Sequence, residues 1–160
     1  MVKTMLTLMI RSGKTLVLLG AFFTFCIVPC EIGSASDAMI GEVSDLRGAV
    51  FIYRGNERIP VEIGTWLQKG DTLKTGPDGS VGVYFNDETT LSLGPESRMT
   101  ILAYLFEPKR SNFAFMVKLC KGSAAYVSGL IAKLSPDSAR FVTPSSTIGI
   151  RGTRMAIQVE

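Results

Sequence analysis

The stretch of sequence that decides the fold is DTLKTGPDGSVGVYFNDETTLSLGP, residues 71–95. Turn-forming residues stand at Asp71, Asp78, Asp87 and Gly94, so that a break in regular structure arrives every seven to nine residues. A helix of useful length does not fit between such breaks, whereas a strand of about 5–6 residues does. The stretch therefore predicts short strands joined by tight turns.

Apolar side chains alternate with polar ones along these strands and beyond them, as expected where one face of a strand is buried. In residues 98–106, the positions after Thr100 are apolar whether they are odd or even, which predicts a central strand covered on both faces. Residues 128–134 suit a helical turn or a hairpin equally well. We predict an all-β domain, a sandwich or a short solenoid-like stack of about nine to eleven strands. The apolar rows are Val81, Val83 and Phe85; Leu91 and Leu93; and Phe113, Phe115, Val117 and Leu119.

The first 36 residues have the order of a secretory signal peptide. The first 14 carry three bases and no acid, and an uncharged run over residues 15–30 precedes a small-residue stretch. The run is shorter than the ~20 apolar residues of a membrane-spanning helix. We predict cleavage after Ala35 or Ser36, which leaves residues 37–160 as a periplasmic or secreted domain. The alternative is an uncleaved signal anchor, which would be the protein's only contact with a membrane.

Composition limits the chemistry of the chain. Histidine is absent, which excludes Ser-His-Asp and Cys-His nucleophiles and most catalytic zinc sites. Cleavage would leave 14 bases and 13 acids, so no general attraction to nucleic acid remains. We therefore expect no enzyme, no metal and no cofactor. Cys120 would be the single remaining cysteine; we expect a small buried apolar group, the alternatives being a reactive thiol or a dimer bridge.

The closing segment changes the parity of its apolar residues. Ile148 and Ile150 occupy even positions, whereas Met155 and the apolar residues after it occupy odd ones. A regular strand cannot move its apolar set to the other face without an extra residue or a bend. Because glycine permits such a bend, we predict a bulge at residues 151–152 that joins two strands.

Two motifs, together with shorter stretches before and between them, resemble the FecR domain family in the right order, and the resemblance covers about residues 41–153. The first is similar to a GD-x-L-x-TG-x-DG turn motif, and the second is similar to a TP-x-x-x-x-G-x-RGT element. The first places family residues at Gly70, Asp71, Gly76, Asp78 and Gly79, and the second at Thr143, Pro144, Gly149, Arg151, Gly152 and Thr153.

The resemblance implies an all-β domain that works in the periplasm or on the cell envelope. In the iron-transport regulators of this family, the domain relays a signal from an outer-membrane receptor to a cytoplasmic sigma factor. Here 14 residues before the apolar run are too few for a cytoplasmic anti-sigma segment, and Glu88 stands where the family usually has glycine. We therefore expect a stand-alone, exported FecR-type module that binds an envelope protein in signalling or envelope assembly.

The second motif supplies the candidate site. Backbone donors at the predicted bulge, beside the guanidinium groups of Arg151 and Arg154, suit an anion or the carboxylate of a partner protein. In the alternative interpretation the glycines serve only the bend and the arginines face water. An exposed sheet edge offers a further binding route, because an extended peptide can add to it as another strand. The candidate residues are Thr143, Pro144, Gly149, Arg151, Gly152, Thr153 and Arg154.

Two other groups of side chains have competing interpretations. Asp71, Asp78 and Asp87 offer oxygen ligands, but their spacing matches no EF-hand loop, and aspartate in such turns usually bonds to its own backbone. Trp66, Tyr84 or Tyr104 would serve as a stacking surface in an alternative function, the binding of an envelope glycan or peptidoglycan fragment. Trp66 also suits the core or the loop between residues 64 and 70.

Overall fold

The computed structural model describes residues 38–151 and 154–160. The predicted signal peptide and the predicted bulge residue Gly152 lie outside them. Within this part of the chain, twelve strands and one short α-helix, α1 (Leu130–Leu134), follow one another. The strands are β1 Met39–Arg47, β2 Val50–Arg54, β3 Glu57–Ile59, β4 Trp66–Gln68, β5 Thr72–Thr75, β6 Ser80–Phe85, β7 Thr90–Leu93, β8 Arg98–Glu107, β9 Asn112–Val127, β10 Ala139–Val142, β11 Thr147–Gly149 and β12 Arg154–Val159.

Strand β9 organises the domain because it runs through both halves of one curled sheet. Its first part pairs with β8 on one side and β10 on the other, and its last part pairs with β7 and β12. We call the order β3-β2-β5-β8-β9-β10-β11 the first half-sheet and the order β4-β1-β6-β7-β9-β12 the second half-sheet. All the strand pairs are antiparallel except β9–β10.

Gly122 marks the bend in β9 between the two half-sheets. Its φ of +90° lies in the left-handed region that favours glycine. A Cβ there would lie 2.3 Å from the hydroxyl oxygen of Ser97, so the site also has no room for a side chain. The Ser97 hydroxyl accepts a hydrogen bond from the amide of Ser123 at 2.9 Å. Gly122 thus turns the strand instead of ending it.

The core lies between the two half-sheets and confirms the predicted alternation. Every residue in the predicted apolar rows is buried except Phe113, which is half-buried. The ring of Phe85 in the second half-sheet packs edge-on against Phe115 in the first, with 5.2 Å between their centroids. Tyr126 and Phe141 make a similar contact at 6.3 Å. The architecture is therefore a sandwich of two half-sheets and not a solenoid.

The structure differs from the prediction for strand β8. Its first three residues pair with β5 and β9, but from residue 101 onward β9 is its partner among the described residues. Leu102 is exposed and residues 103–107 are half-buried, so the strand is not covered on both faces. An uninterrupted apolar run does not reveal where a neighbouring strand stops.

Two smaller expectations are also settled. The strand count exceeds the predicted nine to eleven, because β3, β4 and β11 have three residues each and are too short to show alternation. Residues 130–134 form a helical turn and not a hairpin. In the part of the chain that is described, no helix is long and apolar enough to cross a membrane.

Candidate functional site

The first family motif lies at turns that join strands. Asp71 is fully buried, and its carboxylate accepts hydrogen bonds from Arg54 at 2.8 Å and from the amide of Gln68 at 2.9 Å. Gly70, with φ of +92°, shapes the same turn. These contacts fasten β2 to the turn between β4 and β5, which is a structural role.

The second turn of that motif brings the chain close to the start of β2. The Gly76 amide donates to the carbonyl oxygen of Ala49 at 2.8 Å, and a Cβ on Gly79 would lie 2.3 Å from that oxygen. Both glycines therefore allow a close backbone approach. Asp78 between them is exposed. Among the described residues, no group of three or more histidine, cysteine, aspartate or glutamate side chains is arranged to hold a metal ion.

Asp87 makes a buried polar cluster that reaches well beyond its own turn. Its carboxylate accepts a hydrogen bond from the hydroxyl of Thr89 at 2.7 Å and from the amide of Ile131, in the first turn of α1, at 3.2 Å. The Asp87 carbonyl also accepts from the amide of Leu130 at 2.7 Å. One turn thereby binds the start of α1, 44 residues further along the chain. No local sequence signal identifies a helix cap at that separation.

Tyr104 belongs to this cluster and not to an exposed stacking surface. Its hydroxyl oxygen accepts from the Asp87 amide at 2.9 Å, and its ring stacks on Phe85 with 5.6 Å between centroids. Burial, reinforced by the negative charge of Asp87, raises the pKa of Tyr104 well above its ordinary value. The expectation that Tyr104 forms part of a stacking surface is wrong.

Tyr126 brings a second hydroxyl to the same region. Burial raises the pKa of Tyr126 to about 12, and the charge of Asp87 adds to the rise, while Thr89 opposes it. The Tyr126 hydroxyl forms no hydrogen bond of good geometry with a described residue. The nearby Thr89 hydroxyl already donates to Asp87 and accepts from the amide of Gly129. The cluster therefore holds one unsatisfied polar group.

The second family motif begins with a tight turn between β10 and β11. The Thr143 amide donates to the Ser146 carbonyl at 2.8 Å, and the Thr143 hydroxyl accepts from the Ser146 amide at 3.1 Å. Thr143 is buried, whereas Pro144 is exposed at the tip. These bonds fix the path by which β11 returns beside β10.

The outer edge of β11 is the site that this turn produces. Among the described residues β11 pairs with β10 alone, with Thr147 opposite Val142 and Gly149 opposite Arg140. The pairs on either side are bonded, because Thr143 donates to Ser146 and Ile150 donates to Ala139. Hydrogen-bonded and non-hydrogen-bonded pairs alternate in an antiparallel ladder. The amide and carbonyl groups of Thr147 and Gly149 therefore point away from β10.

The two arginines of the predicted site occupy different parts of the fold. Arg151 follows β11, is exposed, and makes an ion pair with the equally exposed Asp137 at 3.1 Å. Arg154 opens β12 in the second half-sheet and stands opposite Val127. Gly152 and Thr153 lie outside the described residues. The structure thus places Arg151, but not Arg154, next to the edge of β11 along the chain.

The burial of three other side chains can be compared with the predictions from the sequence. Trp66 is 47% exposed, so the expectation that it fills the core is wrong. Tyr84 is 44% exposed and lies on the same face of the second half-sheet. Cys120 is half-buried, because it alternates with the buried residues of β9, so the expectation that it is a small buried group is wrong. Its thiol forms no disulfide with a described residue. A short strand carries too few alternating positions to show which face Trp66 occupies.

Comparison with known proteins identifies the family of this domain. A family model described as FecR protein matches residues 71–160. The match spans β5 to β12 and includes the turn of Asp87 and the edge of β11. No curated protein and no solved structure matches the chain. Because the matched residues make up more than half of the sequence, the chain belongs to the FecR family.

Proposed function

We propose that this protein is a non-catalytic protein-interaction module of the periplasm or cell envelope, in signalling or envelope assembly. FecR proteins are signalling regulators that are associated with the envelope, which supports a role through protein partners. We propose that the partner binds at the outer edge of β11.

The observation that carries this proposal is the pair of outward-facing backbone groups on β11. An edge strand with free amide and carbonyl groups is a template for another strand, and peptides add to such edges in many recognition domains. Thr147 and Gly149 are both exposed, and a Cβ on Gly149 would meet nothing within 4 Å, so the face of the strand beside this edge is open. Ile148, between them, faces the core and holds the strand in register.

The ion pair beside the edge gives the partner a charged point of contact. Arg151 and Asp137 are both exposed, and such pairs contribute about 0–1 kcal/mol to stability. Either partner of the pair can therefore exchange its bond for one to an incoming side chain at little cost to the fold. We propose that Arg151 contacts an acidic group on the partner, next to the added strand.

Proline at position 147 tests the edge directly. Thr147→Pro removes an outward-facing amide that bonds to no other described strand, so the fold should persist while strand addition is blocked. Thr147→Val is the matched control, since it changes the side chain and keeps the amide. Each protein, purified from the periplasm, is used to capture envelope proteins after circular dichroism has established that it is folded.

The proposal predicts a partner that is captured by the wild type and Thr147→Val and lost with Thr147→Pro. Arg151→Ala should weaken the capture of that partner without abolishing it. Equal capture by the folded Thr147→Pro variant would show that the edge of β11 is not the binding site.

A second candidate function is supported by the exposure of Trp66 and Tyr84 on one face. Aromatic rings in this position suit the binding of an envelope glycan. Because this face belongs to the second half-sheet and β11 to the first, the two functions are separable by mutation.

A further inference from the structure

The outer face of the second half-sheet carries a row of side chains that crosses six strands. Strand registers place Trp66 opposite Glu42, Glu42 opposite Tyr84, Tyr84 opposite Thr90, Thr90 opposite Val127, and Val127 opposite Arg154. Residues that are directly opposite one another share a face of the sheet. The row therefore reads, strand by strand, Trp66, Glu42, Tyr84, Thr90, Val127 and Arg154; we call it the aromatic row.

Apolar and polar side chains alternate along the aromatic row. Trp66, Tyr84 and Val127 are each at least 40% exposed, and a polar or charged side chain separates each from the next. Neighbouring strands lie about 4.8 Å apart, so Trp66 and Tyr84 are roughly 10 Å apart across the sheet. A protein interface usually gathers its apolar anchors into one desolvated centre, which this row does not do.

A parallel row of small residues lies beside the aromatic row. Gly82, Ser92, Ala125 and Ala156 are opposite one another on the same four strands, two positions further along each strand, or about 7 Å away. A shallow depression of about 540 Å³ covers this row from β7 to β12. Its polar lining is uncharged and comes from Ser92, Ser123 and Gln158.

Gly94 keeps this depression open. A Cβ on Gly94 would lie 2.3 Å from the hydroxyl oxygen of Ser123, so only glycine leaves room for that hydroxyl. The Gly94 amide donates to the Ser123 carbonyl at 3.0 Å, which fixes the two strands together at this point. The hydroxyl groups of Ser92 and Ser123 therefore remain part of the lining of the depression.

The charge of this surface restricts the ligand. The aromatic row carries one acid and one base, and the small row carries neither. Phosphate polymers and anionic lipid surfaces need clusters of lysine and arginine, which these rows lack. An uncharged chain with apolar patches separated by hydroxyl groups matches the alternation of stacking and hydrogen-bonding side chains. A linear β-linked oligosaccharide has this chemistry, because each sugar ring presents an apolar C–H face bordered by hydroxyls.

We propose that the aromatic row and the adjacent depression bind an extended, uncharged β-linked glycan chain that runs across the strands. Sugar rings stack on Trp66 and Tyr84, and the hydroxyls of Thr90, Ser92 and Ser123 bond to the chain where it continues over β7 and β9. This inference rests on the second candidate function and names its surface and its class of ligand. It does not depend on the edge of β11.

Saturation-transfer NMR and calorimetry test the glycan site with two soluble probes. These are the hexamer of β-1,4-linked N-acetylglucosamine and cellohexaose, each added to the protein purified from the periplasm. We expect binding to at least one hexamer, and a rise in Kd of about tenfold or more in Trp66→Ala and in Tyr84→Ala. Tyr84→Phe keeps the ring and should bind like the wild type.

Three more variants complete the test: one on this face that should weaken binding, and two elsewhere that serve as controls. Ala125→Ile fills the depression with a side chain that suits a strand, and it should weaken binding. Leu134→Ala removes an exposed apolar side chain of α1, which is not one of the strands of this face, and should change nothing. Thr147→Pro should retain glycan binding, so that failure of the edge proposal and failure of this one give different results.

The proposal is overturned if neither hexamer binds at millimolar concentration. It is also overturned if the variants on this face bind as tightly as the wild type. Binding to phosphatidylglycerol vesicles in place of either hexamer, lost in Trp66→Ala, would assign the face to a membrane. Loss of a captured protein in Trp66→Ala, without any effect on glycan binding, would assign the face to a protein partner.

Discussion

Replacement of Asp87 by alanine should destabilise the domain severely, although the residue belongs to a tight turn. The carboxylate is fully buried and accepts two well-formed hydrogen bonds, from the Thr89 hydroxyl and the Ile131 amide. A buried donor that is left without its acceptor costs about 1–3 kcal/mol. Two such donors, with longer contacts to Tyr104 and the Thr89 amide, give an expected loss of about 3–5 kcal/mol.

This loss is a large fraction of the stability of an ordinary domain, which is about 5–15 kcal/mol. With a urea m-value of about 2 kcal/mol/M, the unfolding midpoint of Asp87→Ala should fall by roughly 2 M. Urea unfolding followed by circular dichroism measures the shift. Asp87→Asn keeps one acceptor oxygen but turns an amide towards existing donors, so its loss should be smaller and still exceed about 1 kcal/mol.

Asp78→Ala is the matched control, because Asp78 also occupies a turn of the family motif but is exposed. Its effect should stay within about 0.5 kcal/mol. If Asp87→Ala unfolds within 1 kcal/mol of the wild type, or no more easily than Asp78→Ala, the reasoning about the buried cluster is refuted.

Four other predictions follow from particular residues. Gly122→Ala should lower the free energy of unfolding by about 3 kcal/mol, because alanine is strained at this left-handed φ and its Cβ clashes with Ser97. A urea midpoint equal to that of the wild type would contradict this. Glu88→Gly should raise the free energy of unfolding by about 0.5 kcal/mol, because Glu88 has a φ of +68° and glycine relieves this strain despite its larger entropy in the unfolded chain. A melting temperature below that of the wild type would contradict this. The free energy of unfolding of the wild type should fall between pH 10 and 12, where the Tyr126 hydroxyl ionises in the unfolded chain but not in the folded one. Tyr126→Phe should make this fall with pH less steep. If the two proteins lose stability in parallel with pH, Tyr126 is not the cause. N-terminal sequencing of the periplasmic protein should begin at residue 36 or 37, whereas recovery of the intact leader in the inner membrane would favour a signal anchor.

The sequence was sufficient to predict the all-β class and the buried face of the longer strands. Val81, Val83 and Phe85 alternate with polar neighbours because one face of β6 meets the core, and that constraint is local. The bend at Gly122 was not predictable as a bend, since glycine ends a strand as readily as it turns one. Whether the chain bends at Gly122 depends on its contact with Ser97, which is distant in sequence.

The candidate site was predictable only in part, for the same physical reason. The turn that begins at Thr143 and the exposure of Arg151 follow from local residue types. The free edge of β11 depends on which strands pair, and the aromatic row depends on the registers of six strands. No local sequence pattern predicts either property, so Trp66 and Tyr84 could be named as candidates but could not be placed on one surface.

Amide hydrogen exchange across β11 tests the central claim most directly. In the isolated domain, the outward-facing amides of Thr147 and Gly149 should exchange rapidly, whereas the amide of Ile150, which bonds to Ala139, should be protected. When the captured partner is bound, Thr147 and Gly149 should gain protection because their amides then belong to a strand ladder. If partner binding leaves both amides in rapid exchange, or protects only residues elsewhere in the domain, the edge of β11 is not the recognition site.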